Sequence, residues 1–463
     1  MAKRYLIKSG IVITLDDPAR DGKVLDLLIE DRWIRAVGPN LSVPDAEVVD
    51  ASGMIVIPGL VDTHRHIWES VIRNVGAEWS LTTYLRHLYY GGLGGTLRPQ
   101  DVYIANLWGA LEAINSGVTT VLDWSMVNSP EHADALIQGL EEASIRAVFA
   151  YGTPLLGAGA FWSRDSQLRH PEDARRVKQR YFSSSDQLLT MGLAIRGPEF
   201  CAWETALADI ALARELQAIC TMHLGFGTWG PHDHSIRRLE EAGVLGPDLN
   251  FVHCNTLQPD EYRRIADHGC SVSVTPEIEM LMGHGYPCTG FLVEQGAVTT
   301  LGVDVVTSIA GDLFTQMRMA LAAERARVNN QTLAQGVMPE QLALNARTIL
   351  QCATTHGARA LGLEDKVGSL AVGKEADLVL LRATDFNLFP VNDPLGAVVT
   401  SAGPHNVDTV FIAGRPVKRH GQLVGVDLPR IRQMVEATRD YILSQYTGLE
   451  GIAPQSLANA VQA

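Results

Sequence analysis

The sequence predicts an α/β chain: a (β/α)8 barrel of TIM type with a small β-sandwich built from both termini. Three observations predict it. Eight short apolar runs recur through the middle of the chain with helix-like stretches between them. β-forming runs punctuated by Gly, Asp and Pro occupy both ends. The 463 residues are 46% hydrophobic and 19% charged, which supplies a large core and opposes disorder.

Taken in order, Tyr5–Ile7, Gly10–Thr14, Val24–Ile29 and Ile34–Val37 are β-forming runs within residues 1–57. The same texture returns at Asp377–Leu381 and Val410–Gly414, within 366–425. Two β-rich ends around a long middle predict one small domain made from both. Residues 58–365 are expected to form the barrel. Its strand runs are Ile55–Ile57 with Leu60-Val61, then Thr119–Leu122, Ala147–Ala150, Leu193–Ile195, Ile219–Met222, Phe251-Val252, Ser271–Val274 and Val298–Leu301. Helix starts lie between them. Ser129-Pro130-Glu131 offers an N-cap followed by Pro at the first helical position. Pro259 opens a segment that ends at Gly269, and Ala202–Ala218 places Leu207, Ile210, Ala211 and Ala218 on one face. Strand–helix alternation repeated eight times predicts a parallel sheet that closes on itself. Residues 426–463 read as a surface helix, Leu428 to about Gln445, and a loose tail.

Composition excludes some functions. Lys+Arg total 38 against 52 Asp+Glu, a formal charge of -14, so no basic excess exists to track a nucleic-acid backbone. No uninterrupted apolar run is long enough to span a bilayer, and Lys8 breaks the apolar stretch after the basic N-terminus, which is unlike a secretory signal. The six cysteines form no CxxC pair and read as reduced, buried thiols of a cytoplasmic protein.

The chemistry concentrates at strand ends. In Pro58-Gly59-Leu60-Val61-Asp62-Thr63-His64-Arg65-His66, two histidines stand two residues apart at the end of the first barrel strand. Alternate residues of a strand share a face, so both imidazoles can grip one divalent ion while Arg65 points elsewhere. His223, His253 and Asp304 follow the fifth, sixth and eighth strand runs. Each alone is more often a satisfied polar group or a cap than a ligand. Barrel strand ends converge on one mouth, and five metal-competent side chains gathered there define a candidate site.

With those residues in place, the chain resembles the amidohydrolase superfamily, along nearly its whole length. Within it, the chain looks most like the mononuclear branch of cytosine deaminase-like and triazine hydrolase-like enzymes. The resemblance implies one divalent metal, zinc first and Fe, Co or Mn as alternatives, held by His64, His66, His223 and Asp304. It implies that His253 polarises the substrate and that Asp304 also moves protons, first from the attacking water and then to the leaving group. Binuclear branches carry a bridging Lys or Glu on the fourth strand, whereas this strand runs Gly192-Leu193-Ala194-Ile195-Arg196-Gly197. Family deaminases carry a Glu three residues after the fifth-strand His, and this chain has Phe226. That departure moves the expectation from ring deamination to hydrolysis of an exocyclic C–N bond of an amide, urea, carbamate or thiocarbamate. The runs Asp62–Trp68 and Met282–Gly285 are similar to those of phenylurea and thiocarbamate hydrolases. A deaminase or dechlorinase acting on a pyrimidine, purine or triazine is the alternative, with Glu279 a candidate to replace the missing acid.

Trp68, Trp124, Phe226, Trp229, Glu279, Met280, Met282 and His284 are candidate pocket residues, and an apolar or aromatic small molecule is the expected substrate. His232 and His234 read as loop or gate residues, and Cys254 as a buried hydrophobe. A scaffold barrel that had lost its metal would show broken ligand positions, and all five are filled. A homo-oligomer is expected from the family alone.

Overall fold

The computed structural model describes residues 3–446 and 448. The middle of the chain forms eight parallel strands in unbroken sequence order: Leu60–Arg65, Val118–Ser125, Arg146–Tyr151, Leu189–Ile195, Ile219–Leu224, Leu249–His253, Ser271–Val274 and Val298–Leu301. Nearly every residue in them is buried, as strands covered on both faces must be. The first and eighth strands meet through a bridge between Arg65 and Asp304. There the Asp304 N–H donates to the His64 carbonyl and the His66 N–H to the Asp304 carbonyl, both at 2.9 Å. The bonds that close the barrel therefore belong to three candidate site residues.

The termini form a second, mainly antiparallel sheet of nine strands, with Met54–Pro58 and Leu378–Arg382 side by side at its centre. Alternation assigns its two faces. Leu378 and Leu380 join Tyr5, Ile29, Val56 and Phe411 in one core, while Val379 and Leu381 join the barrel's core. One expected barrel-strand run lies elsewhere. Ile55–Ile57 belongs to this sheet, not to the barrel, because the chain breaks at Pro58-Gly59. The Gly59 N–H donates to the Asp377 carbonyl, and a β-carbon at 59 would overlap the Thr119 side chain at 2.0 Å. Arg146 on the third barrel strand ties the two sheets together. Its buried guanidinium donates to Glu375 at 2.7 Å and to both oxygens of Asp377 at 3.0 Å.

The helices follow the starts read from sequence, at Pro130–Ala143, Trp203–Glu215, Pro259–Asp267 and Leu428–Gln445. No described helix is long and apolar enough to cross a membrane. The loose tail expected after the last helix lies outside the described residues.

Candidate active site

Four side chains from strands one, five and eight converge at the barrel mouth. One ligand-type atom from each of His64, His66, His223 and Asp304 lies within 4.8 Å of the others. Asp304 Oδ1 is 3.2 Å from His64 Nε2 and 3.6 Å from His66 Nε2. Burial drives all three imidazoles toward neutrality: His64 and His66 are pulled down to about 3, and His223 well below its ordinary value. A neutral imidazole offers a lone pair, as a metal ligand must. Both ring nitrogens of His64 and Nδ1 of His66 are buried without a hydrogen-bond partner. Orphaned buried nitrogens are costly unless something ties them up. Three neutral imidazoles, two of them with orphaned nitrogens, around one carboxylate suit a divalent ion of zinc type.

The backbone aims these groups. His253 and Asp304 take positive φ angles of 76° and 69°, unusual for residues with a β-carbon, which turn each side chain inward where its strand ends. Arg65 points the other way, as its place in the strand requires. It is buried against Glu112 at 2.5 Å and the Gly311 carbonyl at 3.2 Å.

His253 stands beside the cluster, its Nε2 4.0 Å from Asp304 Oδ2. Its Nδ1 faces Glu279 Oε1 at 3.3 Å and the Thr275 hydroxyl at 3.2 Å. The cavity above is lined by His66, His223, His253, His284 and Asp304 at its floor. Phe226 and Met282 line it as expected from sequence. Six further lining side chains were not expected: Leu81, Tyr84, Leu85, Tyr89 and Tyr90 from the long segment after strand one, and Trp162 from the segment after strand three. Phe200 and Val305, also not expected, complete the wall and bring the unexpected lining side chains to eight. The only sequence signal for them was the length of those strand-to-helix segments and their aromatic content.

Several expected pocket residues lie elsewhere. Trp124 and Trp68 pack beneath the histidines, with Trp124 4.1 Å from the His223 ring and Trp68 6.4 Å from the His66 ring. They are fully buried because the floor of the mouth needs a solid apolar backing. Trp229 packs on Phe226 and Phe200 rather than on the cavity. Met280 faces solvent, and Glu279 lies behind His253. His232 is exposed beside Asp233, and His234 faces Glu261. Cys254 is fully buried in the core.

Fold and site together define a metal-type hydrolase on a TIM barrel. A model of the amidohydrolase family matches residues 55–417, and the chain belongs to that family. It is 29% identical to the 5'-deoxyadenosine deaminase of Methanothermobacter thermautotrophicus, covering 89% of this chain and 93% of the relative. It is 28% identical to a 5-methylthioadenosine/S-adenosylhomocysteine deaminase of Desulforudis audaxviator, covering 94% and 98%. Among solved structures, an adenosine deaminase from Xanthomonas campestris with bound zinc superposes with a TM-score of 0.82 at 23% identity, covering 95% of this chain and 98% of that one. The atrazine chlorohydrolase of Arthrobacter aurescens TC1 complexed with zinc gives 0.80 at 23%, covering 94% and 100%. These relatives favour the ring-directed alternative over the exocyclic amide or urea reading placed first from sequence.

Proposed function

We propose that the protein is a metal-dependent aminohydrolase that displaces an amino or similar leaving group from a carbon of a compact nitrogen heterocycle. The observation that carries the reading is similarity along nearly the whole chain to enzymes named as deaminases, on a mouth where every candidate ligand position is filled. His64, His66, His223 and Asp304 would hold the metal. A bound divalent ion supplies an acidified water at neutral pH. Asp304 accepts the attacking water's proton through the carboxylate it turns toward the histidines, and returns it to the departing nitrogen. His253 donates a hydrogen bond to the atom that gains negative charge.

The wall narrows the substrate. Apart from Asp304, no carboxylate, guanidinium, ammonium, amide or aliphatic hydroxyl among the described residues lines the cavity. A nucleoside would bury its ribose hydroxyls there with few partners, at a cost of about 1–3 kcal/mol for each unpaired group. The rings of Tyr84, Tyr89, Trp162, Phe200 and Phe226 instead suit a neutral, flat, apolar-substituted molecule.

A second reading, hydrolysis of an exocyclic amide, urea or carbamate, is favoured by one observation. Phe226, 4.9 Å from the His253 ring, brings hydrocarbon where ring deamination would use an acid. The deciding experiment is a screen of zinc-, iron- and cobalt-loaded enzyme on amino- and chloro-heterocycles, nucleosides, ureas and carbamates, reading ammonia, chloride and larger amines. Turnover confined to ureas and carbamates would overturn the first reading. A homo-oligomer is proposed on family grounds, and a reducing cytoplasmic setting from the six buried, unpaired cysteines. Light scattering and localisation of the expressed protein test the two.

A further inference from the structure

The histidines at the barrel mouth fall into two groups that share one carboxylate. The first is the ligand set described above. The second is His253, His284 and Asp304, whose ligand-type atoms also lie within 4.8 Å of one another, the same bound that holds the first set together. All three are buried, and all three line the floor of the cavity. Asp304 divides its oxygens between the groups. Oδ1 stands 3.2 Å from His64 Nε2 and 3.6 Å from His66 Nε2, while Oδ2 stands 4.0 Å from His253 Nε2. That last separation is too long for a hydrogen bond. It is within the span of two ligands on one ion, since bonds of about 2.0–2.1 Å allow at most about 4.2 Å across.

The fold fixes both rings. His253 Nδ1 is backed by Glu279 Oε1 at 3.3 Å and the Thr275 hydroxyl at 3.2 Å, so Nε2 is the nitrogen turned to the cavity. His284 follows the short helix Pro276–Met282 and stands between Gly283 and Gly285, whose φ angles of 83° and 140° suit glycine. Its backbone N–H donates to the Glu279 carbonyl at 3.1 Å, and its carbonyl accepts the Gly227 N–H at 2.5 Å. This path lays the His284 ring 4.5 Å from the His253 ring and leaves its Nδ1 buried without a hydrogen-bond partner. Phe226 packs against both rings, at 4.9 Å and 5.4 Å, and brings no polar atom to compete. No Lys or Arg among the described residues lines the cavity, so no side-chain cation there opposes a second positive charge.

We propose that His253, His284 and Asp304 form a second, weaker metal site, which fills when a divalent transition ion is in excess and then blocks the substrate's seat. The metal site goes beyond the function proposed above; only the blocking rests on that reading. Two imidazoles and a carboxylate select Zn²⁺, Co²⁺, Ni²⁺ or Cu²⁺ over Mg²⁺ and Ca²⁺, which prefer oxygen ligands. The site is the weaker one for two reasons. It has three protein ligands against four, and it shares Asp304 with an ion already bound, whose charge repels the newcomer. An ion held there takes the Nε2 lone pair of His253 and Oδ2 of Asp304. His253 then has no N–H to offer on the cavity side, and ion and substrate exclude each other.

The test uses the full-length protein, stripped of metal and titrated with Zn²⁺ against a chromophoric chelator at about pH 8, where an ordinary imidazole is already neutral. The wild type should take up two equivalents, the second at least about tenfold more weakly, and Mg²⁺ or Ca²⁺ should not displace it. Turnover should peak near the first equivalent and fall through the second, with KM rising and kcat unmoved. His284→Ala should keep the first equivalent and lose the second. His284→Phe, which fills the same space beside Phe226 without a ligand atom, should do the same and guards against a folding defect. His232→Ala removes the exposed imidazole beside Asp233 and should keep both equivalents. A single equivalent in the wild type, a second one that persists in both His284 variants, or one that disappears in His232→Ala would overturn the proposal. Failure of every heterocycle in the substrate screen sinks the proposed reaction alone, since the metal count needs no substrate.

Discussion

Gly302 separates the eighth barrel strand from Asp304, and its lack of a side chain is a condition of the site. A β-carbon at this position would stand 2.7 Å from the His64 carbonyl oxygen, 2.9 Å from the His64 β-carbon and 3.0 Å from its nitrogen. These atoms are backbone or root of the side chain, so no rotamer change relieves them. In Gly302→Ala, ordinary contact requires His64 to retreat by roughly half an ångström or more. The same His64 carbonyl accepts the Asp304 N–H, so two candidate ligands move together. Overpacking of this kind costs about 1–3 kcal/mol. If the site bears that cost, metal affinity falls about five- to 150-fold, since about 1.4 kcal/mol is a factor of ten. The assay is metal content after dialysis against a chelator of known affinity, with turnover measured on the same samples. Gly38→Ala is the control, because a β-carbon there meets nothing within 4 Å. Metal retention and turnover equal to wild type in Gly302→Ala would refute the claim that the barrel's closure sets the ligand geometry.

Other outcomes follow from the same geometry. His66→Ala should lose metal and activity together, whereas His253→Ala should keep the metal and lose turnover by about two orders of magnitude; elemental analysis beside a rate assay separates them. An empty site in His253→Ala would mean that the ligand assignment is wrong. Asp304→Asn should strip catalysis even in samples reloaded with metal, because an amide cannot carry the water's proton, and near-normal turnover would remove Asp304 from that role. Arg146→Met leaves Glu375 and Asp377 buried without their cation, and should cost about 3–5 kcal/mol in urea unfolding while sparing the site's metal.

How much of this was legible before folding depends on the interaction's range. His64 and His66 announce themselves because the strand period puts residues two apart on one face. His223, His253 and Asp304 were found because each directly follows an apolar run, and barrel topology brings such ends together. Trp68 and Trp124 were misplaced because an aromatic residue near a strand end serves equally as lining or as backing. The choice is made by which way the backbone turns after the strand. Tyr84 and Tyr89 lie on the short helical stretches Leu81–Leu85 and Arg86–Tyr90, and Trp162 caps the single turn Ala158–Phe161; none is long enough to show a readable period, so nothing local placed them on the cavity. Glu279 was visible as a carboxylate near the mouth, but its direction, toward the back of His253 rather than into the cavity, depends on the turn of a helix seven residues long.

The sequence by itself determined the alternation of strands and helices, the assignment of both termini to a second sheet, and the identity of the groups able to hold a metal, because these rest on period, burial and side-chain chemistry. Only the tertiary structure decided which oxygen of Asp304 faces which histidine, what hydrocarbon walls the cavity, and which buried acid stands behind His253. Those are contacts between residues far apart in the chain, and their energies depend on distances and on water exclusion that exist only once the barrel has closed.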